Sequence, residues 1–219
     1  MNPNPILVLG GTFDPIHNAH LQTALDVAEL LSAEQIRLIP CGDPAHRPAP
    51  DASAEQRLMM LQVAIAGNKR FLIDTQELER KGPSYMVDTA ASLRCELGES
   101  VPICLMMGMD AFLGLPSWHC WQQLLDYLHL VVVERPGWQQ AMCQAKPELQ
   151  QLLDAHRAES VQAMCTSASG RILMVAVSRM EISATGIRQR IGRGESVDGL
   201  LPDAVLKLIE QQKIYQNQT

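Results

Sequence analysis

The stretch Ile6-Leu7-Val8-Leu9-Gly10-Gly11-Thr12-Phe13-Asp14-Pro15-Ile16-His17-Asn18-Ala19-His20 runs from four apolar residues, through two glycines, straight into the start of a helix. The apolar run reads as a buried strand, and a strand that turns through glycines into a helix is the phosphate-binding corner of an α/β sheet. The helix start offers unpaired N–H groups, and glycine lets a ligand come close to the backbone. Asp14-Pro15 turns the chain, while His17 and His20, three apart, share one helix face and point at the same spot. The stretch holds neither the Gly-Lys-Ser/Thr of a P-loop nor G-x-G-x-x-G. Lysine-driven triphosphate hydrolysis and hydride transfer therefore lose support.

Outward from this corner, further short apolar runs at Ile36 to Ile39, Phe71 to Ile73, Ile103 to Met107, Leu130 to Val133 and Ile172 to Val177 predict strands. Helical stretches at His20 to Leu31, Ala54 to Ala66, Met86 to Leu97 and Trp121 to Leu128 fall between them. Alternation of this kind predicts an α/β fold, a parallel sheet of about six strands with helices on both faces. Gln139 to Ala158 reads as two helices broken at Pro147, Glu159 to Gly170 as a polar loop, and the region 138–170 as an insertion. A last helix is expected from Pro202 to Gln212.

With 219 residues the chain suits a single domain spanning 1–219. It carries 24 acidic against 18 basic residues, a net charge of −6, with no basic block longer than two, so nucleic acid and anionic membranes are poor partners. The N-terminus lacks a signal-peptide pattern and no apolar run reaches the ~18 residues of a membrane span, which points to the cytoplasm. The six cysteines are scattered without zinc spacing and read as reduced, packed thiols. No metal-ligating cluster stands out.

A second motif, Ile182-Ser183-Ala184-Thr185-Gly186-Ile187-Arg188, follows the last strand and opens a helix capped by Ser183 or Thr185. Hydroxyls, exposed N–H groups and a planar guanidinium suit a polyphosphate. The first stretch resembles the G-G-T/S-F-D-P-x-H-x-G-H signature of the nucleotidyltransferase superfamily, with Ala19 in place of the usual glycine, and the second resembles its I-S-S/A-T-x-I-R motif. Three further segments are similar to those of the bacterial nicotinate mononucleotide adenylyltransferases: Lys81-Gly82-Pro83-Ser84-Tyr85-Met86-Val87-Asp88-Thr89, Gly108-Met109-Asp110-Ala111-Phe112 and Leu115-Pro116-Ser117-Trp118-His119. Pro44-Ala45-His46-Arg47-Pro48 and Arg135-Pro136-Gly137 fit the same group.

This resemblance covers nearly the whole chain and implies a Rossmann-like doubly wound sheet and adenylyl transfer from MgATP to nicotinate mononucleotide, giving deamido-NAD and pyrophosphate. It assigns His17, His20 and Arg188 to catalysis, and Gly10, Gly11, Thr12, Phe13, Gly108, Ser183 and Thr185 with them to ATP. Thr12, His46, Arg47, Tyr85, Met86, Asp110, Trp118 and His119 go to the mononucleotide. Trp118 would stack on the pyridine ring, and backbone N–H groups near Met86 and His119 would take its carboxylate. Mg²⁺ is expected to arrive with ATP, with no protein partner required. Against these roles stand plainer ones: Trp118 and Trp121 as core packing, Asp110 as a helix cap, Tyr85 as a packing residue, and His46 and Arg47 as an exposed loop pair. Nicotinamide mononucleotide as the main acceptor, a non-catalytic nucleotide-binding regulator and, more weakly, a dinucleotide oxidoreductase remain as alternatives.

Overall fold

The computed structural model describes residues 4–44, 49–134, 142–177 and 180–216. In chain order the first half contains β1 (Ile6–Gly11), α1 (Asn18–Leu30), β2 (Gln35–Pro40), β3 (Asp43–Pro44), α2 (Ala54–Ala64), β4 (Phe71–Ile73), α3 (Gln76–Glu79), β5 (Pro83–Ser84) and α4 (Met86–Leu97). The second half adds β6 (Ile103–Gly108), α5 (Met109–Leu113), α6 (Leu124–Tyr127), β7 (His129–Val133), α7 (Pro147–His156), α8 (Val161–Met164), β8 (Ile172–Val175), α9 (Ala184–Gly192) and α10 (Asp203–Gln212).

The six predicted strands form one sheet in the order β4-β2-β1-β6-β7-β8. All its pairings are parallel. That is a doubly wound order, in which the chain builds outward from β1 in one direction and then returns to build outward in the other. Alternation along each strand sorts the core into two layers. Leu7 and Leu9 of β1 pack with Ala24 and Val27 of α1, Leu61 of α2, Ile187 of α9 and Ile209 of α10. Val8, between them, joins Leu93 of α4, Phe112 of α5, Leu124 of α6 and Leu149 of α7 on the opposite face. Each such buried aliphatic side chain contributes about 1.5–3 kcal/mol, enough to fix the register of every strand.

Three local expectations shift. Trp121 to Leu128 is a 3₁₀ turn over Trp121–Gln123 followed by the short α6, because Cys120 before it takes a left-handed backbone with φ 47°. The segment Glu159 to Gly170 is not all loop: α8 forms there and sinks Met164 completely into the core. Pro147 starts α7 at its first helical position, where its missing N–H costs nothing, and of the stretch expected to be helical before it the described residues 142–146 are helical only at Met142 and Cys143.

The feature that positions a site lies where the winding reverses. β1 pairs with β6 only from Ile6 to Val8, against Ile103 to Leu105. Beyond that point β1 runs on to Gly11 beside β2, while β6 runs on to Gly108 beside β7. The carboxyl ends of the two central strands therefore part and open a crevice, the place where doubly wound sheets bind ligands.

Candidate active site at the parting of the two central strands

Both histidines of the first motif stand at this crevice. His17 is the N-cap of α1 and His20 its third residue, so the 3.6-residue turn stacks their rings at 3.6 Å with 16° between planes. The His17 N–H donates to His20 Nδ1 at 3.3 Å, which leaves the neutral His20 proton on Nε2 as an outward donor. His17 is 5% exposed, and its Nδ1 is a buried polar atom without a hydrogen-bond partner among the described residues. Buried polar atoms are rarely left in that state, and an orphan at a helix N-terminus is where a ligand is expected.

Burial holds His17 down at about 4, the bond to its own backbone opposing only in part. His20 keeps a partly accessible edge, yet burial first and repulsion from His17 second bring it to about 3. Both rings are therefore neutral at pH 7 in the free protein and act as hydrogen-bond donors rather than fixed charges. Phe13 sets their position: its ring meets His20 edge-on at 5.4 Å, and its backbone adopts φ 51°, a left-handed conformation uncommon for a bulky residue. A Cβ at Gly11 would lie 3.1 Å from the Phe13 ring, close enough that the ring would have to give way by a few tenths of an ångström.

Of the mononucleotide candidates, Tyr85, Met86 and Trp118 pack against one core layer, and His119 meets Tyr85. Met86, the first residue of α4, lies directly over Gly10, where an added Cβ would come within 2.6 Å of its Cε. Tyr85 caps that helix and packs its ring on His119 at 4.4 Å. Trp118 closes the Leu115–Ser117 turn and is half-buried, as is Trp121, both against the core layer beneath α4. Gly108, not Asp110, caps α5; Asp110 sits in its exposed first turn, so the helix-cap role for it does not hold. A Cβ at Gly108 would meet open space. His46 and Arg47 lie outside the described residues, as does Arg135-Pro136-Gly137.

From the far end, Ser183 is the N-cap of α9, its Oγ accepting the Gly186 N–H at 3.1 Å, and Thr185 is exposed in the first turn. Arg188 reaches across to the first motif. Its Nη1 donates to the Asp14 carbonyl at 2.8 Å and its Nε pairs with the Asp51 carboxylate. The second motif is thus brought to the first, with one edge of the guanidinium already occupied. One N–H of the α1 start is occupied too, since Asn18 donates to the Leu200 carbonyl at 3.0 Å. That narrows the anion site to the histidines and the glycine turn.

Residues that sequence reasoning passed over hold this arrangement together. Asp14, read only as part of a turn, accepts the Asp51 and Ala52 N–H groups at 2.8 and 3.1 Å and the Tyr215 hydroxyl at 2.7 Å. Arg57, fully buried, donates to the Thr12 carbonyl at 2.8 Å. Its signal was present: Arg57, Met60 and Leu61 share the inner face of α2, and an arginine at a core position needs a partner. On the mononucleotide side, buried Glu77 accepts from Thr89 at 2.8 Å, with burial raising its pKa. Among the described residues no group of three or more His, Cys, Asp or Glu could hold a metal ion.

The sequence profile described as cytidylyltransferase-like matches residues 8–190. A protein of Yersinia enterocolitica named "Probable nicotinate-nucleotide adenylyltransferase" is 46% identical over 208 residues, covering 95% of this chain and 94% of its own. One of the same name from Aeromonas hydrophila is 44% identical, covering 96% and 97%. Among solved structures, the Plasmodium falciparum nicotinic acid mononucleotide adenylyltransferase complexed with NaAD superposes with a TM-score of 0.70 over 97% of both chains, at 15% identity.

Proposed function

Since the chain belongs to the cytidylyltransferase-like family, and within it to the nicotinate-nucleotide adenylyltransferases, we propose that it transfers the adenylyl group of ATP to nicotinate mononucleotide. The observation that supports this reading most is the parting of β1 and β6 after Val8 and Leu105, together with His17 Nδ1, buried and without a hydrogen-bond partner among the described residues. A 5′-phosphate oxygen attacks the α-phosphorus in line, the bond from the α-phosphorus to the bridging oxygen breaks, and pyrophosphate leaves.

No protein nucleophile is needed, because a phosphate oxyanion is already nucleophilic at neutral pH. The protein aligns two polyanions and stabilises the charge that develops between them. His17 donates to the α-phosphoryl oxygens and His20 to the triphosphate through Nε2–H. Ser183, Thr185 and the open edge of Arg188 take the outer phosphates, while Gly10 and Gly11, with the backbone of Thr12 and Phe13, line the junction and Gly108 leaves room at the mouth. Trp118 stacks on the pyridine ring, Asp110 accepts from the sugar or ring, and N–H groups beside Met86 and His119 receive the carboxylate. Mg²⁺ would arrive with ATP and would supply charge neutralisation to its phosphates. Among the described residues no helix is long and apolar enough to cross a membrane.

The test is a side-by-side measurement of pyrophosphate release with nicotinate and nicotinamide mononucleotide. Preference for nicotinate supports the reading. Equal rates, or preference for the amide, would reassign the acceptor, and no release with either would leave nucleotide binding alone.

A further inference from the structure

The chain's end returns to its first motif. Tyr215 is 7% exposed, stands 201 residues from Asp14, and donates its hydroxyl to Asp14 Oδ1 at 2.7 Å. Reaching that position takes two non-glycine residues with left-handed backbone, Lys213 at φ 53° and Tyr215 itself at φ 66°. Lys213 is the left-handed C-cap that ends α10, whereas Tyr215 holds that conformation beyond the helix, where surrounding contacts have to fix it. Ile214 between them is buried against the α1 layer, which anchors the turn.

Asp14 is the point where three segments meet. Its carboxylate receives Tyr215 from the C-terminal turn and the Asp51 and Ala52 N–H groups from the loop before α2. Its carbonyl receives Arg188 from α9 at 2.8 Å, and the same guanidinium pairs with Asp51. Arg188 is therefore aimed by groups that Asp14 holds still. With Nε and Nη1 engaged, Nη2 is left without a hydrogen-bond partner among the described residues.

Resting on the adenylyl-transfer reading, we propose that Tyr215 and Asp14 are positioning residues for the ATP half of the site: the tyrosine hydroxyl locks the Asp14 carboxylate, which locks the Asp14 carbonyl and Asp51, which together orient Arg188. Neither residue touches the substrates. Without the hydroxyl, Asp14 Oδ1 keeps only the Ala52 N–H and Oδ2 that of Asp51, so the carboxylate is held by two bonds instead of three. Arg188 then spends less time in the orientation that meets the phosphates.

Tyr215→Phe removes the hydroxyl and keeps the ring. It should lower kcat/KM for ATP about tenfold, the factor that one hydrogen bond to a charged group carries, and weaken MgATP binding similarly, while KM for the mononucleotide stays within about twofold. A merely structural tyrosine would move both substrates or neither. In an Arg188→Ala background the same substitution should add less than about a twofold loss, because it acts through Arg188. Activities are compared well below both melting midpoints, so that a loss of stability is not read as a loss of positioning. Unchanged ATP kinetics and binding in Tyr215→Phe, or an equal tenfold loss in both backgrounds, would overturn the proposal. Wild-type protein that binds MgATP but releases no pyrophosphate would strike the adenylyl-transfer reading instead, and the MgATP affinities of wild type and Tyr215→Phe would still decide the positioning role.

Discussion

Replacing His17 by alanine separates chemistry from architecture, because the structure gives the side chain almost nothing to hold. Its Nδ1 has no hydrogen-bond partner among the described residues. What stability it supplies is the stack on His20 at 3.6 Å, an aromatic pair of about 1 kcal/mol. Losing it lowers Tm by about 2–4 °C in a chain of this size. Catalysis should suffer far more: removing one aligned donor to a developing oxyanion costs about 10²–10³ in kcat. KM for nicotinate mononucleotide should stay within about twofold, since the lost contact forms in the transition state. His20, freed from repulsion by its neighbour, gains basicity but remains buried, so it does not take over the α-phosphate. Steady-state pyrophosphate release and a thermal melt on the same preparation give all three numbers. A kcat within about fivefold of wild type would remove His17 from the mechanism, and a raised KM with kcat unchanged would make it a ground-state binding group.

Other consequences are as specific. Trp118→Ala should raise KM for the mononucleotide by about tenfold with kcat little changed, the loss of one stacked ring, and an unchanged KM would return Trp118 to core packing. Arg94 donates to the carbonyls of Tyr127, Gly98, Val101 and Ala168, tying α4 to the strand-entry loops, so Arg94→Lys should cost about 3 kcal/mol and lower Tm by about 6–12 °C. A drop of only a degree or two would show that the lysine satisfies the same carbonyls. The two active-site histidines also set an acid limit. Folded values of about 4 and 3 lie below the ~6.5 of unfolded histidine, so their contribution is complete above about pH 6.5 and is lost as pH falls through 4 and then 3. Buried Glu77, raised rather than lowered, works in the opposite sense and its contribution fades as pH rises. Urea midpoints between pH 7 and 4 should fall, and less steeply in His17→Ala; equal slopes would mean that His17 does not titrate as its burial implies.

The strands were legible because each is a short apolar run between polar turns, and all six appear in the sheet within about two residues of their sequence bounds. The corner from Gly10 to His20 was legible because its spacing is local: three residues on a helix bring two rings together whatever the rest of the chain does. Sequence periodicity does not carry pairings across the fold. Nothing in Asp14-Pro15 announces that its carboxylate will meet a tyrosine 201 residues away, or that Arg188 will be part-neutralised by Asp51. The short α8 escaped notice because one buried methionine in a polar stretch is a weak periodic signal. Arg57 alone was within reach, as a charged residue in the apolar register of α2.

The central claim is that the crevice between β1 and β6 joins two nucleotides. Mass spectrometry of the products formed by the purified protein with MgATP and nicotinate mononucleotide tests it most directly. Deamido-NAD and pyrophosphate appearing in equal amounts, with no AMP, is the predicted result. ATP consumed to AMP and pyrophosphate while the mononucleotide remains intact would contradict it.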